Sequence, residues 1–364
     1  MRKGVVLHVQ KVAGISGSEA HLLSLLPRLR ERGWDIRFLM LHEDEPGAWE
    51  FARELTAAGV PLDAIPIAAD VDPVAFLRFA GYLLRHRPTI LHTHLVHADV
   101  YGQLAGLITG TPVRLSTKHG FNEFREGRLF AVGDRLIAGL SHVQISISRG
   151  LARYLAETEG FSEDDFSIIH YGIAPDGPVK AVNGPVRLLC IGRLIPIKGH
   201  LVLLRAFAEA LKQLPELELD IAGRGQLEPG LKAFARELGI ADRVHFLGQV
   251  TPPQVAHERA SIVIVPSLGE GFGMVALEAM ERARPVIAAA IGGLEDIVRD
   301  GETGLLVPPG EAEPLTAAIV ALARDPERAK RMGEAGRRRM LERFPEERCT
   351  DRTDLLYRSL LDGR

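Results

Sequence analysis

The chain has 364 residues, more than the roughly 100 to 200 of one domain, so we expect two domains. With 46% apolar and 25% charged residues it has the composition of a globular protein, which excludes a disordered chain. A formal net charge of −3 gives no global basic field and argues against nucleic-acid binding. The two cysteines, Cys190 and Cys349, suit neither a disulfide framework nor a metal cluster and indicate a reducing cytoplasm.

The N-terminus begins with the basic residues Arg2 and Lys3, as a signal peptide does, but the apolar run that follows is interrupted by His8. We therefore predict that residues 4–9 form the first strand. No apolar stretch approaches the ~20 residues that span a bilayer. We expect a cytoplasmic protein that is not integral to a membrane.

Short apolar runs alternate with helical patterns along the first half of the chain, which predicts a parallel α/β architecture. The next predicted strands are residues 35–40, 89–94, 113–117 and 143–147. Residues 171–185 are dense in Gly and Pro and lack periodicity. We place the first domain at residues 1–174, a linker at 175–185 and the second domain at 186–343.

The first loop, residues 13–21, joins strand one to a helix, a geometry that favours an anion. It does not match the dinucleotide fingerprint, because Gly14-x-x-Gly17 lacks the Gly-x-Gly-x-x-Gly spacing. The helical pattern at residues 129–140 follows Arg125 and Arg128 and could lie on a membrane surface, although an internal helix is preferred.

Histidines cluster after two predicted strands. His92-x-His94 with His97 suggests zinc ligation, but no cysteine and only Asp99 stands near to complete a tetrahedral set. We therefore predict no dedicated metal site. His119 follows the strand that begins at residue 113, and the alternative to a functional role is a solvent-exposed loop histidine.

In the second half, a strand at residues 186–192 is followed by Arg193, Lys198 and a helix at 200–214. A planar guanidinium and an ammonium at one strand end suit the oxygens of a diphosphate. Two solvated surface cations are the alternative.

The most informative segment places Glu270 and Glu278 on either side of a glycine-rich helix start. It lies between a strand at residues 261–266 and a helix at 274–282. The first backbone N–H groups of that helix attract an anion, helped by the helix dipole. An ordinary exposed pair of Glu278 with Arg282 is the alternative.

Gly192-Arg193 with Lys198-Gly199, and the Glu-x7-Glu spacing of Glu270 and Glu278, resemble the retaining, nucleotide-sugar-dependent glycosyltransferases of family 4. The resemblance extends over nearly the whole chain, through residues 221–225, 243–248 and 301–308. It implies an α/β protein of GT-B fold, with two Rossmann-like domains facing across a cleft. It also implies that the final helix, about residues 344–364, crosses back onto the N-terminal domain.

By this resemblance Arg193, Lys198, Glu270 and His119 are the catalytic residues. Arg193 and Lys198 would hold the donor diphosphate, Glu270 the hydroxyls of the transferred sugar and Glu278 those of the ribose. His119 would contact that sugar or orient the acceptor, and the His-x-His would line the cleft. The implied donor-binding residues are Gly17, Gly192, Val250, Gly271, Phe272, Gly273, Met274, Val275 and Glu278. The match at Gly17 is partial, because the family carries a double glycine where this chain has Ser16.

The expected reaction moves a hexose from a nucleotide sugar, UDP before GDP, to a hydroxyl acceptor with retention at the anomeric carbon. Arg193, Lys198 and the helix N-terminus would stabilise the departing diphosphate without a metal or a cofactor. A glycan, a lipid-linked saccharide or a small glycoside would suit as acceptor, and peripheral contact with the inner face of the membrane is left open. The alternatives are a GT-B-type epimerase or phosphorylase and a non-catalytic nucleotide-sugar-binding protein.

Overall fold

The structure, a computed structural model, describes residues 4–69, 72–121, 128–180 and 184–363, with the backbone alone for 128–131. It divides into two compact units. The N-terminal unit comprises Met1–Gly172 together with Glu346–Arg364, and the C-terminal unit comprises Ile173–Pro345.

The N-terminal unit is built on a seven-stranded sheet in which every neighbouring pair is parallel. Its strands are β1 (Val5–Lys11), β2 (Asp35–His42), β3 (Leu62–Pro66), β4 (Ile90–His94), β5 (Val113–Lys118), β6 (Val143–Ser146) and β7 (Phe166–Ile168), in the order β3-β2-β1-β4-β5-β6-β7. Its helices are α1 (Gly17–Glu31), α2 (Pro46–Ala57), α3 (Pro73–His86), α4 (Leu95–Ile108), α5 (Arg128–Ala138), α6 (Arg149–Glu159) and, from the chain's end, α14 (Glu346–Asp362).

The C-terminal unit has a six-stranded parallel sheet in the order β10-β9-β8-β11-β12-β13. Its strands are β8 (Arg187–Ile191), β9 (Glu218–Ala222), β10 (Val244–Gly248), β11 (Ile262–Val265), β12 (Val286–Ala289) and β13 (Gly304–Val307). Its helices are α7 (His200–Leu211), α8 (Glu228–Glu237), α9 (Gln254–Arg259), α10 (Met274–Glu281), α11 (Gly293–Ile297), α12 (Ala312–Arg324) and α13 (Pro326–Arg343).

Both sheets carry helices on their two faces, which is why their central strands are apolar rather than alternating. In the N-terminal unit, α1 and α14 cover one face, where Tyr357 is fully buried, and α3 and α4 cover the other. The predicted parallel α/β class is thus confirmed. Two of the strands that the sequence did not predict, β3 and β7, are short edge strands with few buried side chains.

The division between the units falls after Gly172, ahead of the segment predicted as a linker. Over its described residues that segment is held on the C-terminal unit. The Asp176 carboxylate pairs with Arg282 at 2.7 Å, and Arg284 donates to the Lys180 carbonyl at 2.8 Å. The remaining residues of the predicted linker, Ala181 to Asn183, lie outside the described residues.

Each sheet has one place where the strand order reverses, between β1 and β4 and between β8 and β11. Ligands of open parallel sheets bind at the carboxyl ends of the strands beside such a reversal. The loops after these four strands therefore define where a site is expected in each unit.

The predicted helix at residues 129–140 is α5, although Arg125 before it lies outside the described residues. Asp134 is buried on its inner side, whereas Val132 and Leu136 are more than half exposed. Among the described helices, none has the length and apolar character that crossing a membrane requires.

Candidate active site

The loops after β8 and β11 touch each other at the reversal of the C-terminal sheet. Leu268 N–H donates to the Ile197 carbonyl at 2.7 Å. Gly199 has a φ of +70°, and a Cβ there would overlap the carbonyl of Pro266. Only glycine meets both conditions, so the backbones of the two loops are held in direct contact.

This contact brings Lys198 and Glu270 together. The Lys198 Nζ lies 2.7 Å from Glu270 Oε2, and Ser267 Oγ donates to the same oxygen at 3.2 Å. Both charged side chains keep a route to solvent, at 23% and 16% exposure. Within the described residues Glu270 Oε1 accepts no hydrogen bond, so it is available to a ligand hydroxyl.

The predicted partner of Lys198, Arg193, lies in the same loop and is exposed. Its backbone is fixed, since Leu194 N–H donates to the Arg224 carbonyl at 2.9 Å. Its guanidinium has no ion pair with any described residue, so the two cations are not already joined by a shared partner. Arg193 can turn towards an anion without breaking an existing pair.

Glycines also join the loops after β8, β9 and β10. Gly223 has a φ of +141°, and a Cβ there would overlap the carbonyl of Gly192. Gly223 N–H donates to the Gly248 carbonyl at 2.7 Å. These contacts line the carboxyl end of the sheet with backbone, and the half-buried Val250 follows at its edge.

α10 begins where the β11 loop ends. Gly273 caps it with a φ of +109°, and Gly271 and Phe272 before it are buried. Gly293 N–H donates to the Glu270 carbonyl at 3.1 Å, which fixes the approach to the helix. Met274 and Val275 are half-buried in the first turn, where helical N–H groups have no partner within the helix.

Glu278 faces a histidine rather than the neighbouring arginine. His257 Nε2 lies 3.2 Å from Glu278 Oε2, and the imidazole is fully buried. Arg282 instead pairs with Asp176 at 2.7 Å and lies 2.8 Å from a Glu281 carboxylate oxygen. The exposed helix pair of Glu278 with Arg282 is therefore absent from these described contacts.

In the N-terminal unit, Gly17 is the first residue of α1 and borders open space. The start of this helix already has a negative charge, because Glu19 accepts from the Ser16 N–H at 3.0 Å and is buried. An anion approaching Gly17 would meet that carboxylate, which weakens the case for a phosphate there relative to α10.

His119 is not a solvated loop residue. Its Nε2 lies 2.8 Å from His94 Nδ1, and its Nδ1 hydrogen-bonds the Tyr171 hydroxyl. Burial lowers the pKa of His119 well below its usual value, and the neighbouring Lys118 lowers it further. Lys118 is itself fully buried between Asp99 and Asp134, which ties β5 to α4 and α5.

Of the three histidines considered for a metal, the structure keeps His92 and His94 together and places His97 apart from them. His92 and His94 face His8 of β1, and nitrogens of these three rings lie within 4.8 Å of one another. That spacing would permit a metal, yet each ring already has hydrogen-bond partners. His97 on α4 is outside the group.

Sequence reasoning missed Ser267, His257 and Tyr171. Ser267 lies three residues before Glu270, within the motif already recognised. His257 and Tyr171 carry no local signal, because only the fold brings them to Glu278 and His119.

Comparison with known proteins places this geometry in a family. Residues 178–339 match the family described as glycosyl transferases group 1, and residues 16–172 match the glycosyl transferase 4-like domain. The D-inositol 3-phosphate glycosyltransferase of Nocardia farcinica is 33% identical over 282 residues, which are 70% of this chain and 58% of that protein. The protein of that name from Acidothermus cellulolyticus is 29% identical over 83% of this chain and 76% of its own length.

Solved structures agree on the fold. A glycosyltransferase from Rickettsia africae superposes with a TM-score of 0.84 at 19% identity, covering 100% of both chains. Anabaena HepE, crystallised with UDP and glucose, gives 0.84 at 18% identity, covering 98% of this chain and 100% of its own.

Two parallel-sheet, Rossmann-like units and these structural neighbours define an α/β protein of the GT-B class. Together with the family matches over both units, they show that the chain belongs to the group 1 glycosyltransferases of family 4. The Nocardia alignment spans little more than half of that relative's length.

Proposed function

We propose that this protein transfers a hexose from a nucleotide sugar to a hydroxyl acceptor, with retention at the anomeric carbon. One observation carries the proposal: the β8 and β11 loops bring Lys198 and Glu270 to 2.7 Å, at the approach to α10. A cation, a carboxylate with an available oxygen and a helix N-terminus can together bind a sugar diphosphate.

In the proposed reaction the donor's anomeric C–O bond breaks, and negative charge grows on the leaving nucleoside diphosphate. Lys198, Arg193 and the first N–H groups of α10 would stabilise that charge, a contribution that is often the largest in catalysis. The acceptor oxygen forms the new bond from the same side. Its proton passes to the departing phosphate oxygen, so no residue need act as base.

We assign Glu270 to hydroxyls of the transferred sugar and Glu278 to those of the ribose. Both carboxylates have one oxygen engaged and one without a described partner, as hydroxyl acceptors require. A nucleophilic Glu270 is not proposed, because the two-carboxylate retaining scheme needs a second carboxylate across the scissile bond. Glu270 is paired with Lys198 instead.

Gly192, Gly223 and the backbone up to Val250 would form the base-binding part of the site. UDP is the proposed nucleotide, and the UDP complex of Anabaena HepE, a protein of the same fold, supports it. In the N-terminal unit, Gly17 and His119 are proposed to serve the donor phosphate and the acceptor. His119 would have to exchange one of its two internal hydrogen bonds to do so.

A lipid-linked acceptor with peripheral membrane contact is favoured by exposed aliphatic side chains on three neighbouring helices of the N-terminal unit. α3 packs against α4, and α4 against α5. Their exposed aliphatic residues are Val74, Leu77, Leu84, Leu104, Leu107, Ile108, Val132 and Leu136. In a flotation assay with anionic vesicles, the wild-type protein should rise with the vesicles and the variant Leu77→Glu/Leu136→Glu should not. Equal flotation of the two proteins would contradict this contact.

The donor is identified by incubating the full chain with UDP-, GDP-, ADP- and TDP-sugars and measuring thermal stabilisation and slow hydrolysis. We expect a UDP-sugar to raise the melting temperature most and to be hydrolysed. Interconversion of the free nucleotide sugar without acceptor would favour an epimerase, and binding without any turnover a scaffold protein. NMR of the product tests stereochemistry, and an inverted anomeric centre would overturn retention.

A further inference from the structure

Five ring side chains of the N-terminal unit form a continuous hydrogen-bonded series, here called the ring chain: Tyr357, His8, His94, His119 and Tyr171. The Tyr357 hydroxyl lies 3.1 Å from His8 Nε2. His8 Nδ1 lies 2.9 Å from His94 Nε2, and His94 Nδ1 lies 2.8 Å from His119 Nε2. His119 Nδ1 then contacts the Tyr171 hydroxyl.

The sheet creates this series by register. His8 of β1 lies opposite His92 of β4, and Gln10 opposite His94, so these side chains share one face of the sheet. Tyr357 reaches that face from α14. Each link therefore joins segments that are remote in the sequence. The series is built by the tertiary fold and is not an accidental arrangement of surface side chains.

Tyr357 also connects the ring chain to a further imidazole, that of His92. The Tyr357 hydroxyl lies 2.6 Å from His92 Nδ1, and His92 Nε2 lies 2.7 Å from Thr117 Oγ1. Tyr357 thus has two histidine neighbours and one proton to share between them.

The imidazoles of the ring chain are neutral near pH 7. Burial is the largest cause that lowers the pKa of His8, His94 and His119 well below the ordinary value, and neighbouring imidazoles lower it further. A neutral imidazole has one N–H and one lone pair. A ring bonded at both nitrogens must therefore donate on one side and accept on the other.

This requirement couples the three histidines. If His8 donates through Nδ1, His94 must accept at Nε2 and donate through Nδ1, and His119 must do the same. If Tyr171 donates to His119 instead, all three rings carry the proton on Nε2. The rings therefore share one tautomer, and a mixture would place two N–H groups or two lone pairs face to face.

We propose that the ring chain is a tautomer relay, in which Tyr357 and Tyr171 at its ends determine which nitrogen of His119 carries the proton. His8, His94 and the two tyrosines are then positioning residues for His119. A substrate hydroxyl that replaces Tyr171 at Nδ1 would meet a donor in one state and an acceptor in the other. This consequence rests on the proposed role of His119, whereas the tautomer is measurable without turnover.

The two ends give opposite predictions. Tyr357→Phe removes the partner of His8 Nε2, and a buried unpaired N–H is rarer than an unpaired acceptor. All three rings should then carry Nδ1–H. Tyr171→Phe removes the partner of His119 Nδ1, so all three should carry Nε2–H. Ring ¹⁵N chemical shifts of the full chain labelled at histidine, assigned through the backbone, distinguish the two forms.

Tyr101→Phe is the matched control. Its side chain is buried in the core cluster that contains Leu91 and Phe79, on the opposite face of the sheet from Tyr357, and its hydroxyl accepts from the Asp72 N–H at 2.7 Å. It should leave the wild-type tautomers unchanged. If either tyrosine variant does not fold, the wild-type protein still provides a test, because His8, His94 and His119 must show one common tautomer.

The relay is overturned if His119 has the same tautomer in both variants, or if the wild-type rings are mixed. It is also overturned if purified protein holds stoichiometric zinc that His94→Ala removes, because metal-bound nitrogens cannot carry the relayed proton. If the protein transfers no sugar, the proposed function is contradicted. The ring ¹⁵N chemical shifts would still test the relay, because they do not depend on turnover.

Discussion

The carboxyl ends of the two sheets hold polar groups in opposite ways. In the N-terminal unit, the imidazoles of His8 and His94 are fully buried and that of His119 is half-buried, and all three are neutral and hydrogen-bonded in series. In the C-terminal unit, glycines bring the backbone to the edge of the sheet, and Lys198, Glu270 and Arg193 keep access to solvent.

The difference separates two tasks that one Rossmann-like architecture can perform. Solvent-accessible charges and the N–H groups of a helix start favour an anion with developing charge, which supports the proposed donor site in the C-terminal unit. A closed network of neutral rings instead fixes the direction of hydrogen bonds, which suits orientation of a hydroxyl.

The largest expected effect is acid destabilisation of the N-terminal unit ahead of the C-terminal unit. Burial lowers the pKa of five of its histidines, His8, His21, His92, His94 and His119, to about 3 for His21 and His92. Below the unfolded-state pKa of 6.5, the unfolded chain binds protons that the folded rings do not. Each ring then removes up to about 1.4 kcal/mol of unfolding free energy per pH unit.

Tryptophan fluorescence reports this unit selectively, because Trp34 and Trp49 are the chain's only tryptophans. On titration from pH 7 to 4 their transition should precede the loss of far-UV circular dichroism from the C-terminal unit. In that unit burial lowers the pKa of His200 to about 4. Coincident transitions would contradict the comparison.

Next in size is the loss of catalysis on removing the cation of the C-terminal site. Lys198→Ala should slow turnover of the donor by about a hundredfold or more, because a preorganised charge at the leaving diphosphate is lost. Adding Arg193→Ala should slow it further. The control is Lys232→Ala, which removes an exposed helix pair with Glu228 at 2.7 Å. Unchanged turnover in the Arg193/Lys198 double variant would refute the proposed diphosphate site.

The C-terminal site could largely be predicted from the sequence, whereas the ring chain could not, and the difference has a physical cause. Glu270, Glu278, Arg193 and Lys198 occur in short motifs at strand ends, and the parallel topology brings those ends to one edge. The ring chain depends on which strands pair and in what register, and paired residues of β1 and β4, such as His8 and His92, lie 84 positions apart in the sequence. No local pattern predicts that Tyr357 will contact His8. His119 was expected to contact the sugar or orient the acceptor, and its bonds to His94 and Tyr171 could not be predicted from the sequence.

A single added Cβ atom should disrupt the backbone contact between the β8 and β11 loops. Gly199→Ala places a Cβ against the Pro266 carbonyl in a left-handed conformation and should cost about 1 to 3 kcal/mol of stability. Gly17→Ala points into open space at the first position of α1 and should change stability by less than about 1 kcal/mol. Urea unfolding midpoints of both variants check this. Equal losses of stability in the two variants would show that the contact does not require glycine at position 199.

The smallest effect concerns how Glu278, the carboxylate proposed to bind the ribose, is held in place. His257→Ala removes the imidazole 3.2 Å from Glu278 and should raise the donor KM about tenfold with little change in kcat, as expected for loss of a charge-assisted hydrogen bond in binding. His257→Gln, which keeps an N–H, should recover part of that loss. His245→Ala offers a matched control, because His245 also pairs with a glutamate, Glu218, but from the half-exposed amino end of β10. If both alanine variants raise KM equally, Glu278 does not depend on His257, and its position must come from α10 alone.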